Sequence, residues 1–156
     1  MSLSLKSSMF EHGAGIPARY TCSGEDVSVP LHWEGVPDNA RSLVLIVDDP
    51  DAPDPDAPKM VWVHWVLYNI PPDTSSLAEH TTSATLPAGA REGINDWNRP
   101  GYGGPCPPIG RHRYFHKLYA LDTVLEGLDQ PTRAEVEAAM QGHVIARAEL
   151  MGTYRK

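Results

Sequence analysis

Two histidines stand where a β-strand would carry apolar side chains: His64 inside VWVHWVL and His112 at the start of HRYFHKLY. A buried imidazole must find hydrogen-bond partners. Strand alternation puts Trp62, His64 and Val66 on one face of the first segment, and His112, Tyr114 and His116 on one face of the second. If the two strands are neighbours, His64, His112 and Tyr114 converge. With an aspartate at a strand end and a Gly-Pro loop nearby, they supply donors of limited freedom, which suits a small anion. An oxyanion accepts from imidazole N–H, phenolic O–H and loop amides, while a carboxylate behind an imidazole fixes its tautomer. A lone strand histidine is more often a core residue bonded to backbone, so the grouping carries the signal.

Other chemistries fit less well. His112 and His116 are four apart, but on a strand that separates them by about 13 Å, too far to share a zinc ion. Hydrolysis with His64 or His112 as base lacks an obvious nucleophile: no G-x-S-x-G elbow occurs, and Cys106 sits between Pro105 and Pro107. The tandem DPDAPDPDAP from Asp49 to Pro58 has neither the bend glycine nor the closing glutamate of a calcium loop. No metal and no cofactor are implied.

The elements that must hold these residues read as mainly β. The 15 prolines and 13 glycines favour turns and short strands. Ser42 to Val47, SLVLIV, is a continuous branched run suited to a central strand buried on both faces, ended by Asp49-Pro50. Met60 to Ile70 and His112 to Leu121 are further strands, and Val144 to Leu150 a half-exposed one, with Ala146, Ala148 and Leu150 opposite Arg147 and Glu149. From Pro87 to Gly110 glycine and proline are too dense for a ladder, and Trp97 and Tyr102 argue for an ordered, functional loop. One helix is expected over Pro131 to Gln141, with Thr132 and Glu135 as a capping box and Gly142 as its stop.

The 156 residues suit a single domain spanning the chain, long enough to bury a substantial core. A net charge of −7 without a Lys/Arg block argues against nucleic acid and anionic membrane surfaces. No apolar run approaches a membrane span and MSLSLKSSMF lacks signal-peptide regions, so the expectation is a cytoplasmic protein without integral membrane association. Cys22 and Cys106, a lone pair far apart in sequence, are expected as two reduced thiols.

Longer motifs sharpen this. DPDAP, then HWVLYNIP, then GYGGPCPPIGRHRYFHKLYALD resemble the phosphatidylethanolamine-binding protein family, specifically its bacterial Raf-kinase-inhibitor-like branch. The likeness runs from YTCSGEDVSVPLHWEGVP to GHVIARAELMGTY. It implies a large central antiparallel sheet, a smaller second sheet, one or two peripheral helices, and a shallow pocket for phosphate-like groups such as phosphoethanolamine heads. Carried over by residue, the pocket aspartate is Asp49, its histidines His64 and His112, its tyrosine Tyr114, its wall Pro107 and Pro108, and the preceding glycine Gly104. The first DPDAP copy is then the functional corner and the second loop filling.

Departures also show. Ser28-Val29-Pro30-Leu31 stands where relatives commonly read SPPL, and His116 where many have an aromatic ring. The carboxyl-terminal helix that borders the pocket in eukaryotic relatives has no counterpart, implying a more open pocket. The implied partner is a small phosphorylated anion or phospholipid head group; a homodimer stays open, and an inhibitor or scaffold of a kinase or protease rests on family analogy alone.

Overall fold

The computed structural model describes residues 2–156. In chain order its strands are β1 (Ser4–Lys6), β2 (Leu31–Glu34), β3 (Ser42–Ala52), β4 (Met60–Ile70), β5 (Ser76–Leu77), β6 (Arg91–Glu92), β7 (Arg111–Leu121) and β8 (Val144–Arg155). A 3-10 turn at Ala18–Tyr20 precedes β2, and the helix α1 (Arg133–Met140) precedes β8. Five strands form an antiparallel sheet in the order β6-β4-β3-β7-β8; β1, β2 and β5 form a second, three-stranded sheet. The fold is mainly β, as expected.

The residues of β3 explain its place. Every side chain from Ser42 to Asp49 is buried, so a core lies on each face of the large sheet. Leu45, Trp65, Leu67 and Leu118 pack on one face with Leu5 and Trp33 of the small sheet. On the other face Val44, Ile46, Val63 and Val66 meet Val136 and Met140 of α1. The helix begins at the expected capping box: Thr132 Oγ1 accepts from the Glu135 amide at 3.2 Å, and Glu135 Oε1 accepts from the Thr132 amide at 3.1 Å.

Four points of the sequence reading change. First, β3 does not stop before Asp49-Pro50. It continues to Ala52 through an irregularity where Asp49 pairs Trp62 and Ala52 pairs Met60, three residues against two. Pro50 has no N–H for a ladder, and a bulge accommodates it. Second, Val47 faces Trp65 while Asp48 faces Val63, so His64 is an extra residue in β4. The bulge breaks alternation, leaving Trp62 and His64 on the cavity wall and turning Val66 to the α1 side. Third, the condition left open for the two histidine strands is not met: β3 lies between β4 and β7. Fourth, Cys22 and Cys106 are joined in a disulfide with Cα atoms 5.4 Å apart. Their 84-residue separation conceals a local contact in which the Cys22 amide donates to the Pro105 carbonyl at 3.0 Å.

Candidate functional site

Above the β3 bulge lies a cavity of about 400 Å³. Asp49 and Ala52 reach it from β3, Trp62 and His64 from β4, and His112 and Tyr114 from β7. The 101–110 loop closes one side with Cys106, Pro107 and Pro108, and Trp97 closes another. The sheet thus brings together six of the seven expected residues. Although β3 intervenes, the His64 and Tyr114 rings meet over it edge to face, with centroids 5.2 Å apart.

Gly104 is the exception. Its amide donates to Asp26 Oδ1 at 2.8 Å, and a side chain there would collide with Asp26 and the Tyr20 carbonyl. It packs behind the wall rather than lining the cavity. Gly103 does the more direct work: its carbonyl accepts from His64 Nδ1 at 2.7 Å, its amide donates to the His64 carbonyl at 3.0 Å, and any Cβ would displace Trp97.

The hydrogen bonds fix the roles available. Asp49 is buried; its Oδ1 accepts from the Asp51 amide at 2.7 Å and its Oδ2 from His112 Nδ1 at 2.6 Å. Burial pushes the Asp49 carboxyl up, opposed by the His112 bond and the Asp51 amide. His112 Nε2 is directed at the Ile109 carbonyl at 2.9 Å, so both ring nitrogens are engaged by the protein. His64 differs. Its Nδ1 faces a carbonyl, which only accepts, so Nδ1 carries the proton and Nε2, which has no protein partner, keeps a lone pair. Burial drives its pKa from 6.5 down to about 4, with the Gly103 bond opposing, so the ring is neutral at pH 7. Tyr114 Oη is buried without a partner, and burial followed by the Asp49 charge pushes its ionisation up, leaving an unused O–H donor.

Both copies of the repeated decapeptide fold locally alike. Asp54 Oδ1 accepts from the Asp56 amide at 2.9 Å, matching the Asp49–Asp51 turn, but Asp56 is exposed and neither residue lines the cavity. Only the first copy reaches the cavity. Asp51 braces it: the Arg113 amide, Nε and Nη2 all donate to its carboxylate, and those bonds hold its pKa down.

Trp62, Trp97, Met60 and Pro53 also line the cavity and were not singled out as site residues. The tryptophans contact edge to face at 5.5 Å, and Trp97 sits 5.2 Å from the His64 ring. Trp62 was within reach of sequence, since it lies two positions before His64; Trp97 was marked only as an aromatic in an ordered loop. His116 shares the β7 face but lies deeper, against Phe10, with neither nitrogen bonded.

A family model described as phosphatidylethanolamine-binding protein matches residues 6–155. A UPF0098 protein of Methanothermobacter thermautotrophicus is 51% identical over 155 residues, covering 99% of each chain. The crystal structure of a phosphatidylethanolamine-binding protein homolog from Chlamydia trachomatis superposes with a TM-score of 0.91 at 44% identity, covering 99% of this chain and 98% of that one. YbcL of E. coli, described as a member of the mammalian PEBP family, superposes with a TM-score of 0.89 at 31% identity, covering 100% and 99%. None of these names is that of an enzyme, and the general role that comes with the match is ligand binding.

Proposed function

We propose, for a chain that belongs to the phosphatidylethanolamine-binding protein family, that its cavity binds a small phosphorylated anion of the phosphoethanolamine type and does not convert it. The observation that carries the reading is the cavity that Asp49, His64, His112 and Tyr114 line together, where His64 Nε2 has no protein partner and the buried Tyr114 Oη has no hydrogen-bond partner. A buried polar atom left unpaired costs about 1–3 kcal/mol, and a ligand oxygen relieves it. Asp49 and His112 hold one another and set the floor; Pro107 and Pro108 are the wall; Gly104 positions the loop from behind. Conversion would need a positioned nucleophile, and Cys106, the nearest candidate, is bonded to Cys22.

The test is calorimetric titration of phosphoethanolamine into wild type and Tyr114→Phe. A hydrogen bond to a charged partner contributes about 1.5–3 kcal/mol, so the variant should bind at least tenfold more weakly. Equal affinities remove the reading.

Compartment follows from the same loop. No helix among the described residues is long and apolar enough to cross a membrane. Cytosolic thiols are kept reduced, so the Cys22–Cys106 bond favours an oxidising compartment over the cytoplasm that the sequence suggested.

A further inference from the structure

On the side of the large sheet away from the cavity, β7 and β8 present a charge pattern that the linear sequence hides. RHRYFHKLYAL reads as mixed, but alternation buries His112, Tyr114 and His116 and leaves Arg111, Arg113 and Lys117 on the other, more open face. Antiparallel pairing sets Arg147 and Arg155 of β8 on that same face, and Arg133 of α1 borders it through Asp48. These six basic side chains meet four carboxylates, Asp48, Asp51, Glu137 and Glu149. The face is therefore positive by two on a chain whose net charge is −7. The helix α1 packs over β3 and β4 and reaches only the far ends of β7 and β8, at Tyr119, Leu121 and Val144. The rest of that strand pair is uncovered.

The charge is not consumed internally. Arg111 and Arg155 stand directly opposite one another in the ladder, where like charges repel. Both are exposed, and neither they nor Arg147 makes an ion pair among the described residues. Arg111 donates only to Thr153 Oγ1, at 3.3 Å. The middle of the face is apolar, with Phe115 opposite Met151 and both half-buried.

We propose that this face docks an extended acidic segment of a partner protein, with carboxylates at both ends and an apolar side chain between them. The ladder sets the spacing. Phe115 and Met151 lie four residues, about 13 Å, from Arg111 and Arg155 at one end and from Tyr119 and Arg147 at the other. An extended chain has the same rise, so acidic side chains four residues before and four after an apolar one meet all three positions. A carboxylate between Arg111 and Arg155 accepts from both guanidinium forks and turns their repulsion into attraction. Single-stranded nucleic acid fits less well: Arg113 Cζ and Lys117 Nζ already lie 5.5 and 5.8 Å from the centre of the Phe115 ring, where a base would stack. An anionic bilayer is repelled by the negative remainder of the chain. The cavity opens on the other side of the sheet, and its ligand plays no part here.

The test follows amide spectra of the full chain, in about 0.1 M salt, during titration with a nine-residue peptide that has glutamate pairs at both ends and leucine at its centre. At that ionic strength charges more than about 10 Å away are screened. Shifts should gather on β7 and β8 around Phe115 and Met151, and the peptide with glutamine in place of glutamate should bind at least about tenfold more weakly. Arg111→Glu/Arg155→Glu should also lose about tenfold, its dispersed spectrum showing that it still folds. Lys6→Glu/Arg91→Glu, an equal change of net charge at exposed positions of β1 and β6, should lose less than about twofold. Shifts spread over other surfaces, equal losses in the two double variants, or no binding at all overturn the inference. Tighter binding of an oligothymidylate or of phosphatidylserine vesicles than of the peptide also overturns it, and makes the face a nucleic-acid or membrane surface.

Discussion

Replacing Cys22 and Cys106 together by serine removes a link that closes 84 residues of chain between the Ala18–Tyr20 turn and the cavity wall. In the chain-entropy treatment, a loop of that length in the unfolded state makes the bond contribute about 4.6 kcal/mol at 25 °C. With an unfolding entropy of about 2.1 cal/mol/K per residue, a 156-residue chain should lose about 14 °C in melting temperature. Native contacts across the same seam survive: Tyr102 Oη donates to the Tyr20 carbonyl at 2.8 Å and the Gly104 amide to Asp26. The variant should therefore still fold, with the loss expressed through the unfolded chain. Calorimetric scans of wild type and Cys22→Ser/Cys106→Ser, with thiols counted on denatured wild type prepared without reductant, make the assay. A zero thiol count with melting temperatures within about 3 °C refutes the entropic argument. Two thiols refute the bond.

Asp49→Asn should weaken phosphoethanolamine binding by releasing His112, whereas Asp54→Asn, in the second repeat copy, should leave calorimetric affinity unchanged; equal losses would contradict the assignment of the first copy to the site. Acidification should destabilise the fold: His64 and His116 are held at about 4 by burial against 6.5 when unfolded, so the unfolded chain binds protons that the folded chain refuses. That gives a loss of roughly 2 kcal/mol per histidine between pH 6.5 and 5, partly offset nearer pH 4 by Asp49, whose raised carboxyl works in the opposite sense. His116→Phe should halve the loss in urea melts and raise stability at pH 5, because two unbonded buried nitrogens leave with the imidazole; an unchanged pH slope would count against buried neutral His116. Gly104→Ala should destabilise by a few kcal/mol, since Asp26 and the Tyr20 carbonyl occupy the space for a Cβ; a near-neutral melt would show that the loop gives way.

The long strands were legible because their signal is local. SLVLIV and MVWVHWVL carry buried apolar runs, and α1 announces itself through Thr132 and Glu135. The small sheet was not: β1 and β5 have three and two residues, too short for any period, and only the family resemblance called for a second sheet. Where residue type and strand position agree, as for His64, His112 and Tyr114, the residues that the sequence singles out all line the cavity. Their geometry was hidden by irregularities in the β3–β4 pairing, since the extra residue at His64 turns the residues that follow it, Val66 among them, to the other face. The disulfide was hidden for another reason. Contact between Cys22 and Cys106 depends on loops packed by Tyr102 and Asp26, which have no periodic signature.

The central claim, that Asp49, His64, His112 and Tyr114 form an anion site, is tested most directly by a crystal structure grown with phosphoethanolamine at pH 6. Phosphate density within the Asp49–Trp97 cavity is the expected result, with one oxygen within hydrogen-bonding distance of Tyr114 Oη and another facing His64 Nε2. Ligand density elsewhere, with the cavity open to solvent and Tyr114 Oη still unpaired, would contradict it.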